Sequence, residues 1–283
     1  MSAPSSSSRS IRILMDAHVH FYPSYDLQTF LLAALDHLPR YAPTDQRVLC
    51  LAERTGHTFF QSLAQDEIPL PSDRWRIVAW DPEGAVKIRH RPTHRDLWII
   101  AGRQYTTREN IEVCSLFSDA PVPDHMTARD TVRAIREEAG GLPALDWAFG
   151  KWLFSRGKLV RRLLETNPPA TLPLIDTAMR PRGTLPPAVY ATALRDGRPI
   201  LAGSDPLSPP AEQTQPGRYA ATFQIPGPDD PGTIIAPLRT FLTSPLSSPL
   251  TLLGTRDTLL RALFRRRAAS RHPAASRNPS SAV

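Results

Sequence analysis

The chain has 283 residues, 41% of them hydrophobic and 22% charged, with 34 Lys plus Arg against 27 Asp plus Glu and a formal charge of +7. That length suits one large α/β core or two small ones, and no run approaches the roughly 20 apolar residues of a membrane span. The N-terminus lacks the charged and apolar regions of a signal peptide, so a cytoplasmic protein with no membrane attachment is expected. Cys50 and Cys114 sit in apolar, strand-like runs without a framework spacing, which reads as two reduced core thiols rather than a disulfide or a zinc knuckle. The positive charge is local. Arg9, Arg261, Arg265, Arg266, Arg267, Arg271 and Arg277 lie in 1–10 and 258–283, where there is no Asp or Glu, and they account for the whole excess. Such ends touch nucleic acid or acidic surfaces only nonspecifically, and the body between them is near neutral.

Residues 1–10 are Ser-rich and read as disordered, as does the basic end 263–283. Residues 11–18 predict a strand and 27–38 a helix that stops before Pro39. A second strand follows at 47–52. Extended segments are expected at 75–80, 85–90 and 97–101, the first two joined through Asp81-Pro82-Glu83-Gly84 as a hairpin. Residues 111–117 predict a further strand. Thr127 caps a helix over 127–138 that Gly140-Gly141 ends. Strands at 142–145, 173–175 and 199–202 then alternate with helices at 158–165 and 186–195. This alternation predicts a parallel α/β sheet, and the lack of a Gly-rich phosphate loop favours a closed or nearly closed barrel. The Pro-rich span 208–231 reads as a long surface loop, followed by helices near 234–242 and 255–264.

The chemistry-bearing motif is Asp16-Ala17-His18-Val19-His20 at the end of the first strand. Side chains alternate along a strand, so Asp16, His18 and His20 are expected on one face, where two imidazoles and a carboxylate can hold a divalent metal. Two packed strand histidines are the plainer reading. Farther on, Gly203-Ser204-Asp205-Pro206-Leu207 follows the last predicted strand.

On these two motifs the chain resembles the PHP (polymerase and histidinol phosphatase) branch of metal-dependent hydrolases and, more loosely, the amidohydrolases. The family opens with D-x-H-x-H, matched by Asp16, His18 and His20, and closes with G-S-D-x-H, matched through Asp205, with Leu207 in place of the final His. Over most of 12–207 the resemblance implies one PHP-like distorted (β/α) barrel at 11–262 with a short β-hairpin insertion. The middle departs from the family pattern. Ala52-Glu53-Arg54 stands where the family has T-D-H, and Gly102-Arg103-Gln104 where it has G-x-E. Glu112 replaces a strand His, and Leu145-Asp146-Trp147 falls where another His is usual.

A multinuclear centre needs many imidazoles and carboxylates, and Gln104, Arg54, Trp147 and Leu207 remove them. The resemblance therefore implies at most one ion, Zn²⁺, Mn²⁺ or Fe²⁺, on Asp16, His18, His20, Asp205 and Glu112. Alternatively, Arg54 has replaced the metal and pairs with Glu112 or Asp205. Glu53 or Glu112 is the expected general base. Lys151 lies among aromatics in Trp147-Ala148-Phe149-Gly150-Lys151-Trp152, and Asp176 stands near Arg180 and Arg182. With Arg54, these four are the expected contacts to a small anionic substrate. Two packed tryptophans with a solvated Lys151, and an Asp turn with surface arginines, are the plainer readings. Two functions follow: a phosphoesterase-like or amidohydrolase-like hydrolase with a reduced metal site, or a noncatalytic relative that keeps the scaffold as a binding or interaction module.

Overall fold

The computed structural model describes residues 10–65, 67–247 and 249–272. Strand β1 (Ser10–Val19) lies in the middle of a seven-stranded sheet. On one side it pairs in parallel with β2 (Gln46–Leu51), then β5 (Arg95–Ile100), and the antiparallel hairpin of β4 (Ala85–His90) and β3 (Trp75–Asp81) extends that edge. On the other side it pairs antiparallel with β11 (Tyr219–Pro226), which pairs with β12 (Thr251–Gly254). A second sheet of five strands runs β10 (Ile200–Gly203), β9 (Leu174–Thr177), β8 (Leu142–Asp146), β7 (Glu112–Leu116) and β6 (Gly102–Thr106). Its β8, β9 and β10 are parallel, while β6 and β7 are antiparallel neighbours.

The apolar residues sort by parity into layers. Ile11, Ile13, Met15 and Ala17 of β1 meet Val48, Cys50, Cys114, Ala144 and Ile175 between the sheets. Helix α6 (Ile235–Leu242) adds Ile235, Leu238 and Leu242 to that core. Leu14 and the alternate residues of β2 and β5 face outward onto helix α1 (Leu27–His37) and helix α2 (Phe59–Ala64). The second sheet turns Val113, Leu145 and Leu174 outward onto α3 (Ala128–Glu137), α4 (Phe154–Thr166) and α5 (Ala188–Arg195). Thr127 caps α3 as expected, its hydroxyl accepting from the Asp130 amide at 3.1 Å.

The expected (β/α) barrel does not form. The strands make two mixed sheets of seven and five, with no closed hydrogen-bonded ring among the described residues. The predicted hairpin is present, but as one edge of the larger sheet rather than an insertion. The sheets touch along two seams. On β6, Gly102 runs so close to β2 that a Cβ would stand 2.1 Å from the Leu51 carbonyl oxygen, and a single bridge joins Glu53 to Arg103. On β10, a Cβ on Gly203 would stand 2.4 Å from the Cβ of His18. Only glycine permits either approach.

Two further expectations give way. Span 208–231 is not a loop throughout: it holds a 3₁₀ turn (Pro210–Thr214) and β11, the antiparallel partner of the central strand. The basic end is helical as far as α7 (Leu259–Arg271), so 263–271 is not a tail, and residues 1–9 and 273–283 lie outside the described residues. No helix among the described residues is long and apolar enough to cross a membrane.

Candidate metal centre

The site begins with an irregularity in β1. Between Asp16 and Val19 the strand carries one residue more than its partner β2. A bulge of this kind reverses the alternation of faces. Ahead of it Asp16 points away from the histidines, and its oxygens accept from the amides of Ser204 (2.9 Å), Gly217 (2.7 Å) and His18 (3.3 Å). Burial pushes the Asp16 carboxyl up to about 7 against the pull of those amides. Asp16 is thus a clamp between β1 and the segments after β10 and before β11, not a member of the ligand group.

Beyond the bulge, the two imidazoles meet. His18 Nε2 and His20 Nε2 are 3.0 Å apart, and Asp205 Oδ1 lies 3.6 Å from the first and 3.7 Å from the second. Burial lowers His18 to about 4, with Glu112 opposing and Arg54 assisting. Burial also takes His20 well down, helped by His18 and Arg54. Both rings are neutral near pH 7 and offer lone pairs. Asp205 has a left-handed backbone, φ 48°. Its amide donates to the His18 carbonyl at 3.0 Å, and its own carbonyl accepts from Arg265 Nη2 at 2.7 Å. Such a conformation costs a non-glycine residue about 1–2 kcal/mol and is held here from both sides. Burial pushes the Asp205 carboxyl up to about 6, while Arg265 and Arg54 pull it down.

On its other edge, His18 Nδ1 faces Asp146 Oδ2 at 3.5 Å and Cys114 Sγ at 3.4 Å. Asp146 ends β8 opposite Glu112 of β7. It is buried, and among the described residues neither carboxylate oxygen has a hydrogen-bond partner. Burial, then the charges of Glu112 and Asp205, drive its pKa well up. An orphaned carboxylate behind a histidine whose far nitrogen points at two more donors is the arrangement that orients metal-binding imidazoles.

The geometry of His18, His20 and Asp205 suits one ion. Donors about 2.0–2.1 Å from a tetrahedral Zn²⁺ stand about 3.3–3.4 Å from one another. The observed 3.0, 3.6 and 3.7 Å bracket that value. His18, Cys114 and Asp146 form a second possible group. Burial pushes the Cys114 thiol well up, so it stays protonated and is the poorer donor.

The remaining expected residues divide. Glu112 lies at the mouth, bound to Lys151 Nζ at 2.8 Å rather than joining the histidines. Because β7 is antiparallel to β8, Glu112 starts its strand at the end where Asp146 finishes its own. Arg54 lines the same mouth and pairs with neither Glu112 nor Asp205 among the described residues, so a guanidinium substituting for metal is not what forms. With Gln104, Phe149, Met179 and Arg266 these residues surround a cavity of about 140 Å³. Glu53 turns elsewhere: its Oε1 accepts from the Phe59 and Phe60 amides at the start of α2, and it does not line the mouth. Asp176 is saturated by Arg180 (2.5 and 2.7 Å), Tyr219 (2.8 Å) and Tyr190 (3.3 Å), so this pair is structural. Arg182 is exposed and lies outside the mouth, its amide donating to the Asp257 carbonyl.

Three contributors escaped the sequence. Asp146 stood out only as a missing His, although a charge closing an apolar strand was visible. Arg265 and Arg266 were hidden in an apparent tail. Arg265 is buried, bound to Glu212 (2.5 Å) and Asp257 (2.5 Å) as well as to the Asp205 carbonyl. Arg266 stacks over Phe149 at 4.8 Å beside the cavity.

No family model matches the chain, and no curated protein matches it. Among solved structures, it is similar to PsfC from Pseudomonas syringae PB-5123 with a TM-score of 0.52 at 14% identity, over 92% of this chain and 98% of that one. At that identity the likeness concerns the fold alone.

Proposed function

We propose that the chain is a metal-dependent hydrolase of small phosphoesters working with a single divalent ion, Zn²⁺, Mn²⁺ or Fe²⁺, on His18, His20 and Asp205. The observation that carries this reading is the trio of neutral or anionic donors spaced for one ion, of which Asp205 also lines the mouth beside Arg54, Lys151 and Arg266. A bound ion supplies a water of lowered pKa and draws charge from a phosphoryl oxygen. The chain's own residues do the rest. Lys151, Arg54 and Arg266 attract and orient an anion in the mouth. Glu112 takes a proton on the carboxylate oxygen that Lys151 does not engage. Asp146, 3.5 Å behind His18 Nδ1, favours the tautomer that leaves Nε2 free, and Arg265 fixes the backbone of Asp205.

A binding module is the second reading, favoured by the 2.8 Å Lys151–Glu112 pair, which ties up the base. The deciding experiment is metal titration by calorimetry, with elemental analysis and hydrolysis of p-nitrophenyl phosphate. One equivalent of Zn²⁺ or Mn²⁺ at micromolar affinity or better is expected. Asp205→Ala and His18→Ala/His20→Ala should lose both metal and turnover while unfolding cooperatively. A folded wild type that takes up no metal and turns over no phosphoester overturns the hydrolase reading and leaves the module.

A further inference from the structure

The charged mouth is small, and a larger apolar groove adjoins it. The groove holds about 610 Å³, and Phe149 lines both cavities. Segment 147–152 forms their common wall. Lys151 turns into the mouth to meet Glu112, while Trp147 and Trp152 line the groove. On the far side Phe154 and Leu185 are 89% and 93% exposed. Phe154 also has a left-handed backbone, φ 54°, which for a bulky non-glycine residue is an outlier. The fold gains no burial from holding that ring in solvent. Scattered apolar residues need no explanation, but a continuous apolar lining beside a polar site marks a ligand surface.

We propose that the substrate is an amphiphile: a phosphate-type monoester whose alcohol carries an apolar chain, with the head in the mouth and the chain along the groove. The inference rests on the phosphoester reading above and specifies its substrate class. About 140 Å³ accommodates a phosphate-sized head and little more, so the leaving alcohol must pass out beside Phe149. Arg54, Lys151 and Arg266 surround the mouth, while the groove is lined by Lys158, Arg161 and Arg180, the last held by Asp176 through Nε and Nη2, among a majority of apolar side chains. The small mouth admits the anionic head, and the larger groove offers the hydrocarbon its tryptophans, Phe149, Phe154 and Leu185.

The test compares methyl phosphate with octyl phosphate, the latter below its micellar concentration, by calorimetry on the full chain with and without added Zn²⁺. Full burial is worth about fourfold per methylene, so three buried methylenes suffice for more than about tenfold. Octyl phosphate should bind at least tenfold more tightly than methyl phosphate. Phe154→Ser/Leu185→Ser should abolish that advantage and leave methyl phosphate affinity unchanged, since both residues are already exposed and their loss spares the core. Lys151→Gln should weaken both ligands by a similar factor. Equal affinities in the wild type, or a chain advantage that survives in the groove variant, overturn the amphiphile proposal alone. Octyl phosphate binding that ignores Lys151→Gln also overturns it, because the groove then acts as a separate greasy site. If neither phosphate binds, the anion-reading mouth fails and both proposals fall.

Discussion

Asp176 and Asp146 are buried carboxylates at the ends of neighbouring strands of one sheet, and they are wired in opposite ways. Asp176 engages both nitrogens of the Arg180 fork and two tyrosine hydroxyls. Among the described residues Asp146 has no hydrogen-bond partner on either oxygen; it faces a histidine edge at 3.5 Å, and Glu112 and Asp205 oppose its charge more than Lys151 favours it. From the sequence Asp176 looks the more functional, because arginines stand beside it. In the fold that company is what retires it: a carboxylate whose valences are filled has nothing left for a ligand. A fold tolerates an unfilled, buried one at a penalty, and the penalty is recovered when a cation or proton arrives.

The largest expected effect falls on the filled corner. Asp176→Asn leaves Arg180 buried without its counter-ion and should cost about 3–5 kcal/mol in urea unfolding, with metal affinity unchanged within about twofold. A stability loss under about 1 kcal/mol would erase the contrast between the two corners. Asp146→Asn should do the reverse. Metal affinity should fall about 10–100-fold while the metal-free protein holds or gains stability, because an unpartnered buried acid beside two other carboxylates is gone. A variant that unfolds as readily as the Asp176 variant and binds metal normally would make Asp146 a structural acid.

Glu53 sits between these extremes, one oxygen accepting two amides and the other without a partner. Burial raises its carboxyl from 4.5 to about 7. Between those values the folded chain keeps a proton that the unfolded chain has released, so stability falls as pH rises through that window. Glu53→Gln should therefore match the wild type in stability near pH 4 and exceed it near pH 8, by about 3 kcal/mol. A gap between the two that does not change with pH would show that the Glu53 carboxyl does not titrate in that window.

The sequence located His18, His20 and Asp205 because each stands at the end of an apolar run. It misplaced Asp16 because period-two alternation assumes an unbroken pleat, and a one-residue bulge before Val19 is invisible in residue types. Strand β11 was hidden for a different reason. Its alternation is short, and Pro209, Pro210, Pro216, Pro226, Pro228 and Pro231 surround it with turn signals, although its register with β1 runs unbroken from Pro226 to Ala221. With β11 unread, the antiparallel flank of the central strand was missing, and a parallel barrel followed. The C-terminal arginines misled through charge counting: net charge cannot separate a solvated guanidinium from Arg265, which is buried among Glu212, Asp257 and the Asp205 carbonyl.

The placement of β1 governs when the molecule can become itself. This strand is made long before its antiparallel flank: Asp16 waits for an amide 201 positions later, at Gly217, and Ser10 for a partner at Pro226. Until then the strand has one open edge, and an unpaired edge invites neighbouring chains. Closure over such separations is slow in any chain of this kind. The nascent chain is therefore most exposed to aggregation in the interval between synthesis of β1 and of β11, and slowing translation before β11 should lower the soluble yield more than slowing it afterwards.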